Sequence, residues 1–532
     1  MPSTKHHLIF SDVLAGDEMM HLNASKGWAP PESSSSRDRG HGPYPRLVLR
    51  GATVIDGTGA PPWGPADIVV EGGSIAGIFN VGTPGLPIKP GRRPAPGDHE
   101  VDCAGKYVTP GFVDAHAHIG TPYHNMTGDV PPADYIYKLW LAHGVTTIRE
   151  MGLLNGLSWT LEQQALARSG RIAAPDMTLY AYFPALADRM KTLHTPRDAR
   201  AWVNAIKERG ADGIKFFGAP PSMMEAALDE AAKIGLRSGC HHAQLSVGRM
   251  NSLRTARWGL TSTEHFYGIP ETLYTDSTLQ DFPPDYNFFD EYHRFSVSGQ
   301  QFRQSAAPRS EKWMETLHAF LELGHTFVPT FNIYDANRDV MRARQADWHK
   351  EYTWGSIWKY FQPQRGGHGS YWYQWSTANE IEWKRHYSIW MRFVGDYKNL
   401  GGRVCAGSDS GFIYQIYGFG FVRELELLQE AGFSPLEVWR AATLDGATLL
   451  GKEDEVGSIE IGKRADLLIH RRNPLADTKL MYGTGAVRLA DDTGEVKWER
   501  GIETTIKAGV LYDTETLLAD VRDMVAQGGS GA

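Results

Sequence analysis

His116 and His118 close a short apolar run, GFVDAHAH, with one alanine between them. In a β-strand, residues i and i+2 point to the same side, so both imidazoles face one spot, with Asp114 in the same series. Such a pair also fits two surface histidines, but its place at the end of an apolar strand makes it a candidate metal clamp. Lys215 stands inside another apolar stretch, DGIKFF. A lysine there is costly, and it must snorkel, pair with an acid such as Glu150, or lose its positive charge. His241 and His242 end LRSGCHH, His265 follows Glu264 in TSTEH, and Asp409 lies in AGSDSG. Each alone is compatible with a structural residue. Together they place imidazoles, an amine and a carboxylate at the ends of successive apolar runs, and imidazole plus carboxylate suits zinc or a similar divalent ion.

The runs that carry these residues form a series: 112–118, 145–150, 177–182, 213–217, 236–242, 261–265, 325–331 and 403–409. The first six recur at the length of a strand plus a returning helix, roughly 30 residues. Helix signals lie between them. Thr195 is an N-cap candidate before Pro196, with Trp202, Val203 and Ile206 on one face, and Ser222/Glu225 and Ser434/Glu437 fit capping boxes. Eight strands alternating with helices predict an α/β chain with a (β/α)8 TIM-like barrel over 111–450. A doubly wound open sheet is the structural alternative. In a barrel the C-terminal strand ends build the active face, where these candidates fall. The last two intervals are longer, with aromatic-rich insertions about 266–320 and 336–395. Seven of the 16 tryptophans lie between Trp348 and Trp390. Individually, Trp348, Trp354, Trp358, Trp383 and Trp390 read as packing residues, and the insertions as wholes read as walls of the pocket.

β-rich text flanks this centre. LVLRGATVIDG, ADIVVEGGSIAGI and Lys106–Val108 precede it; GSIEIGKRADLLIHRRN (457–473), VRLADDTG, VKWERGIET and TTIKAGVLYD follow. One small composite β-sandwich domain, 45–110 with 451–515, is expected. Residues 1–44 read as an N-terminal arm whose Met19, Met20, Leu22 and Trp28 could dock on a neighbour. Residues 516–532 read as a C-terminal tail, disordered in its final AQGGSGA.

Composition narrows the function classes. The chain has 532 residues, 42% hydrophobic and 22% charged, which excludes collagen-like, wholly disordered and disulfide-scaffold proteins. The net charge of −8 argues against a nucleic-acid partner. No uncharged apolar run reaches the ~18 residues that cross a bilayer, and no secretory leader is evident, so a cytoplasmic protein without a membrane partner is expected. Cys103, Cys240 and Cys405 allow one disulfide at most, and Cys240 reads as a small core residue.

VTPGFVDAHAHIG resembles the first metal motif of the metal-dependent amidohydrolase superfamily. GVTTIREMG, GADGIKFF, the HHA segment, TSTEHFYG and AGSDSG fall in the order of that family's later strands. GSIEIGKRADLLIH and LVLRGATVIDGTG resemble the segments of the small β-domain that brackets its barrel. The resemblance covers about 45–515 and is strongest to the branch with imidazolonepropionase-like proteins and prolidase-like Xaa-Pro dipeptidases. It implies two divalent metal ions, taken as Zn2+. His116, His118 and Asp409 would hold the more buried one, and His242 and His265 the second. Lys215, as a CO2-derived carbamate, would bridge both. The family's alanine after the strand-five histidine favours His242 over His241. A hydroxide between the metals would be the nucleophile, and Asp409 would take its proton and pass it to the leaving nitrogen.

Tyr123, His124 and Tyr267, with Asn332 and Tyr334, are placed to reach a substrate, and no arginine stands out as the partner of a substrate carboxylate. The expected reaction is hydrolysis of the C–N bond of a small, bulky or aromatic, N-acyl, peptide-like or cyclic amide, in a homo-oligomer. A deaminase of the same superfamily is the alternative, but its strand-five HxxE acid has no counterpart, since Ala243, Gln244 and Leu245 follow His242. Ester, lactone or phosphotriester hydrolysis would use the same nucleophile. A non-catalytic scaffold fits least, because every ligand position is filled. A glycosidase built on Glu150, Glu264 and Asp409 would leave the histidines without a role.

Overall fold

The computed structural model describes residues 30–88, 90–125, 127–186, 189–190, 192–276, 280–363 and 369–528. Eight parallel strands form its centre in chain order: β1 (Phe112–Ala117), β2 (Val145–Gly152), β3 (Asp176–Tyr182), β4 (Gly213–Phe216), β5 (Arg237–His241), β6 (Ser262–Glu264), β7 (Thr326–Val328) and β8 (Arg403–Val404). β1 and β2 are buried at every residue, as a parallel sheet covered on both faces requires. The sheet curls, and backbone hydrogen bonds link β1 to the segment after β8. Ala115 N donates to Ala406 O at 2.9 Å, and Ser408 N and Asp409 N donate to His116 O at 3.1 and 2.7 Å. The chain is therefore a mixed α/β fold around a curled parallel sheet.

The helices between the strands follow local signals. The helix Pro196–Glu208 has Thr195 as N-cap in a capping box with Asp198 and buries Trp202, Val203 and Ile206. Ser434 and Glu437 cap Pro435–Ala442. The box expected from Ser222 and Glu225 does not form, because the helix Pro221–Lys233 already starts at Pro221 and Ser222 falls inside its first turn.

Strands from both ends of the chain make a second, mixed eight-stranded sheet. Its order is Val510–Asp513, Ile502–Lys507, Leu467–His470, Tyr107–Pro110, Arg46–Val54, Trp63–Glu71 and Ser74–Asn80, with His99–Asp102 also beside Arg46–Val54. Of the 457–473 text, only Leu467–His470 is a strand. Residues 486–489 and 496–499 leave this sheet and pair only with each other. The tail also differs from expectation: Thr514–Gly528 is a helix whose buried Leu517, Leu518 and Val521 give it a packing face. Residues 30–44 are anchored, with Lys138 bridging Asp38 and Asp520 at 2.7 and 3.0 Å. Met19, Met20, Leu22 and Trp28 lie outside the described residues. All three cysteines are free and buried, and among the described residues no helix is long and apolar enough to cross a membrane.

The second aromatic insertion is dominated by a 23-residue helix, Thr377–Asn399. It buries Trp383, Tyr387, Trp390, Val394 and Tyr397, spaced at helical intervals. The Trp390 ring lies 4.5 Å from Phe331 and 5.1 Å from Phe266, and Trp383 Nε1 donates to Phe295 O at 2.9 Å. These tryptophans hold the insertion to the ends of β6 and β7. Trp390→Ala is expected to cost about 3–5 kcal/mol, read as a lowered midpoint in chemical denaturation.

Candidate metal centre

The C-terminal ends of β1, β4, β5 and β6 and the turn after β8 converge on one buried spot. β1 delivers His116 and His118. The turn after β8 approaches closely because Gly407 has no side chain: an added Cβ would lie 2.8 Å from His116 Cβ and 2.6 Å from Val328 Cγ1. Ser408 then locks that turn to β1, donating to Asp114 from its backbone N at 2.8 Å and its hydroxyl at 2.5 Å. Asp114 is therefore a clamp beneath the site, and burial lifts its carboxyl to about 7.

One nitrogen from each of His116 and His118 and one Asp409 oxygen lie within 4.8 Å of one another. His118 Nε2 is 3.1 Å from Asp409 Oδ1, and His116 Nε2 is 3.7 Å from the same oxygen. His265 Nε2 is 3.7 Å from Asp409 Oδ2, and Lys215 Nζ is 3.4 Å from His116 Nε2. Five of the expected residues are thus brought together. Lys215 does not pair with Glu150, which instead accepts from Ile119 N at 2.7 Å and sits 3.8 Å from His118 Nδ1.

The donor set fits a divalent cation. His116 Nδ1 is bound to Glu264 Oε2 at 2.7 Å, so its Nε2 faces the site. His265 Nδ1 is likewise held by Thr330 Oγ1 at 2.5 Å, which leaves its Nε2 inward. Burial, aided by the Lys215 charge, keeps His116 neutral, and burial takes His265 down to about 4. Burial opposes charge on His118 too, but the neighbouring Asp409 and Glu150 carboxylates outweigh it and raise the ring to about 9. Despite its burial, the Asp409 carboxyl is held far below the usual carboxylate range by His116 first, then by His118 and His265. The field that favours a proton between His118 and Asp409 favours a metal cation there as well. Burial also lowers Lys215.

Sequence reasoning missed the support beneath these groups. Glu264 binds Arg149 Nη2 through both oxygens, at 2.8 and 2.9 Å, and accepts from Ser262 Oγ at 2.6 Å. No spacing in the sequence ties Glu264 to Arg149 or to His116.

At the end of β5 the structure points His241, rather than the expected His242, toward the centre. Gly239 faces the interior, since a Cβ there would meet Glu264 Oε1 at 2.6 Å, and side chains alternate, so His241 also faces inward. Its ring lies 4.6 Å from His265, between the faces of Phe217 and Tyr267 at 4.6 and 4.7 Å. His242 turns out to Thr255 Oγ1 at 2.8 Å, and burial lowers it to about 3.

The substrate candidates separate as well. His124 is turned away, fully buried, with Nε2 on Gly411 O at 2.8 Å. Asn332 is likewise structural, donating to Ser408 O at 2.7 Å. Tyr267 backs His241, and Tyr334 lies 5.7 Å from the His265 ring. Tyr123 is half-buried, stacked on Tyr360 at 5.9 Å and edge-on to Phe412, which is 6.0 Å from His118.

Comparison with known proteins agrees with the motifs. Residues 391–511 match the amidohydrolase family. An adenine deaminase of Bacillus pumilus is 33% identical over 228 residues, covering 40% of this chain and 34% of the relative. A dihydroorotase of Trichlorobacter lovleyi is 26% identical over 245 residues, covering 44% of this chain and 51% of the relative. The chain spans about a third of the length of the first adenine deaminases it matches. Among solved structures, bottromycin amidohydrolase aligns over 98% of this chain and 97% of its own, with a TM-score of 0.59 and 23% identity. A Xaa-Pro dipeptidase aligns over 88% and 100%, with a TM-score of 0.56 and 18% identity. These structures share the fold.

If His241 is the ligand, His241→Asn lowers the metal bound per chain, and His242→Asn leaves it near the wild-type value. Elemental analysis of the two purified variants separates these outcomes.

Proposed function

We propose that this relative of the amidohydrolases is a binuclear metal-dependent hydrolase that cleaves a C–N bond in a small, bulky or aromatic amide, N-acyl or peptide-like. The observation that carries the reading is the convergence of His116, His118 and Asp409 within 4.8 Å, beside a buried lysine. His116, His118 and Asp409 would hold one divalent ion, His241 and His265 the second, and Lys215 would bridge the two as a carbamate. Zn2+ suits this mixture of imidazole and carboxylate. The framework of the reading is a (β/α)8 barrel over 111–450, supported by the hydrogen bonds from β1 to 406–409, with a composite β-domain from 45–110 and 451–515.

Bound divalent ions supply Lewis acidity, lowering the pKa of water and polarising the scissile carbonyl. The chain's residues do the rest. Only a neutral amine adds CO2, and the burial that lowers Lys215 favours that neutral form. Glu264 fixes the His116 tautomer, and Thr330 that of His265. Asp409 has one oxygen toward His118 and the other toward His265, and serves as the base that takes the nucleophile's proton and returns it to the leaving nitrogen. Phe217, Tyr267 and Phe412 exclude water around these groups and set an aromatic wall for the substrate.

The adenine deaminase relatives favour a second reading, C–N cleavage with release of ammonia. Gln244 stands where an HxxE acid counted from His241 would be, which weighs against it.

Metal stoichiometry, paired with a screen of N-acyl amino acids, aryl amides, dipeptides, cyclic amides and adenine, tests the reading. Two ions per chain and amide cleavage are expected; one ion with ammonia release from adenine would replace this reading with the deaminase. Lys215→Ala is expected to lower metal content and turnover together, with partial rescue by short carboxylic acids. Asp409→Asn is expected to keep the fold and cut kcat by about 100-fold or more. A wild-type rate in either variant would remove that residue from its role.

A further inference from the structure

A cavity of about 740 Å3 opens at the end of the central sheet remote from the metal centre. That size falls within the range of small-molecule sites. Asp176 and Arg237, which line it, are the first residues of β3 and β5, and Asp212 immediately precedes β4. The metal-centre residues stand at the opposite, C-terminal strand ends, and none of them lines this cavity. Arg464 and Lys507 come to it from the composite β-sheet and its connections, so the cavity sits in the seam between the two sheets.

Six cations line it: Arg168, Lys207, Arg237, Lys452, Arg464 and Lys507. Three of them share one carboxylate. Asp176 Oδ1 accepts from Arg168 Nε at 3.3 Å, and Asp176 Oδ2 accepts from Lys452 Nζ at 3.2 Å and Arg464 Nη1 at 3.0 Å. Arg464 also pairs with Asp466, and Arg168 lies 4.0 Å from Asp212. The other three have no carboxylate within 4.0 Å among the described residues. Lys207 is exposed. Lys507 is only 5% exposed, and its ammonium donates to the Ala167 carbonyl at 2.7 Å. Arg237 commits Nη1 to the Thr448 and Leu449 carbonyls at 3.0 and 3.1 Å. Its Nε and Nη2 run along Gly451, where an added Cβ would lie 2.9 Å from each, and the bare glycine leaves that edge of the guanidinium open. Thr178 Oγ1, enclosed in the same wall, has no hydrogen-bond partner.

Against the six cations the wall holds three carboxylates, Asp176, Asp212 and Glu455, and Asp466 stands behind Arg464. Two positive charges remain in excess, in a chain whose net charge is −8. Enclosed cations without anions are costly, and a bound dianion would offset that cost. A guanidinium edge with two N–H groups matches two phosphate oxygens, and Lys207 and Lys507 supply further charge-assisted donors. No aromatic ring lines the cavity, so a nucleobase would find no stacking face, whereas sugar hydroxyls would find Thr178 and Glu455.

We propose that this cavity binds a compact phosphate ester of a sugar or polyol, with Arg237, Lys207 and Lys507 on the phosphate. The site does not depend on the hydrolase reading. Because its walls come from both sheets, a bound ester ties them together and raises the unfolding midpoint.

Calorimetric titration of the full chain with ribose 5-phosphate, inorganic phosphate and ribose at fixed ionic strength tests it. Ribose 5-phosphate is expected to bind at one site per chain, about tenfold or more tighter than inorganic phosphate, and ribose is expected not to bind. Lys207→Glu should weaken the ester about tenfold or more without moving the unfolding midpoint of the free protein, and Arg237→Gln should weaken it similarly. Lys384→Glu, at an exposed lysine on the helix Thr377–Asn399, should leave binding unchanged, as should Lys215→Ala at the metal centre. Failure of ribose 5-phosphate to bind overturns the proposal, and so does binding that survives both Lys207→Glu and Arg237→Gln. Binding lost in Lys215→Ala would place the ester at the metal centre and overturn it as well. Inorganic phosphate binding as tightly as the ester would assign the cavity to the free anion and overturn the polyol part.

Discussion

The buried ion pair between Arg149 and Glu264 underlies the geometry of the candidate site. Both side chains are fully enclosed, and moving two charges out of water costs several kcal/mol for each. That cost is offset because neither group is left incomplete. Arg149 binds both Glu264 oxygens, the Ser262 hydroxyl and the Ala115 carbonyl, with its guanidinium 5.0 Å from the Tyr180 ring centre. Glu264 keeps one contact for His116 Nδ1. The pair thereby joins β2 to β6 across the inside of the curled sheet and selects which nitrogen of His116 faces the centre. Losing either partner would strand a charge at the base of the site, so orientation of the histidine and integrity of the sheet interior are one constraint.

A second constraint acts at the strand ends. His265, Thr330 and Asp409 all have positive φ, at 63°, 48° and 48°. Each such backbone costs about 1–3 kcal/mol unless its surroundings over-determine it. Here they do. Thr330 Oγ1 is on His265 Nδ1, and Asp409 N is on His116 O. The strain turns both side chains sharply inward at the point where β6 ends and where the chain leaves β8, which straight strands could not do.

Much of this was legible in the sequence because the relevant signals are local. His116, His118, Lys215, His265 and Asp409 each end or interrupt an apolar run, and a run marks a strand without knowledge of its neighbours. The choice between His241 and His242 was not local in that sense. It depends on which parity of β5 faces inward, set by the close approach of Gly239 to Glu264. His124 was misplaced for a similar reason. The loop after β1 forms a short helix, Pro122–Asn125, that turns the ring onto Gly411 rather than into the site. Arg149 and Glu264 were invisible as a pair because 115 residues separate them and no spacing rule joins an arginine in one strand to a carboxylate four strands on. The tail helix Thr514–Gly528 is hard to see in the sequence because the glycine-rich end masks the helical spacing of Leu517, Leu518 and Val521 before it.

The aromatic shell links the fold to the proposed chemistry. Phe217 lies under the Lys215 amine, 5.2 Å from it, and with Tyr267 sandwiches His241, while Phe412 stands against His118. Charges interact more strongly where such rings replace water. In that surrounding a free lysine is pushed toward its neutral, CO2-reactive form. A carbamate at the same position would be a buried anion, and it would be as costly as the ammonium unless cations faced it. On the proposed reading, then, carboxylation of Lys215 and occupation of the metal sites stabilise each other, and neither state is expected to persist without the other. The apolar walls that make Lys215 improbable as an ordinary lysine are what couple those two events.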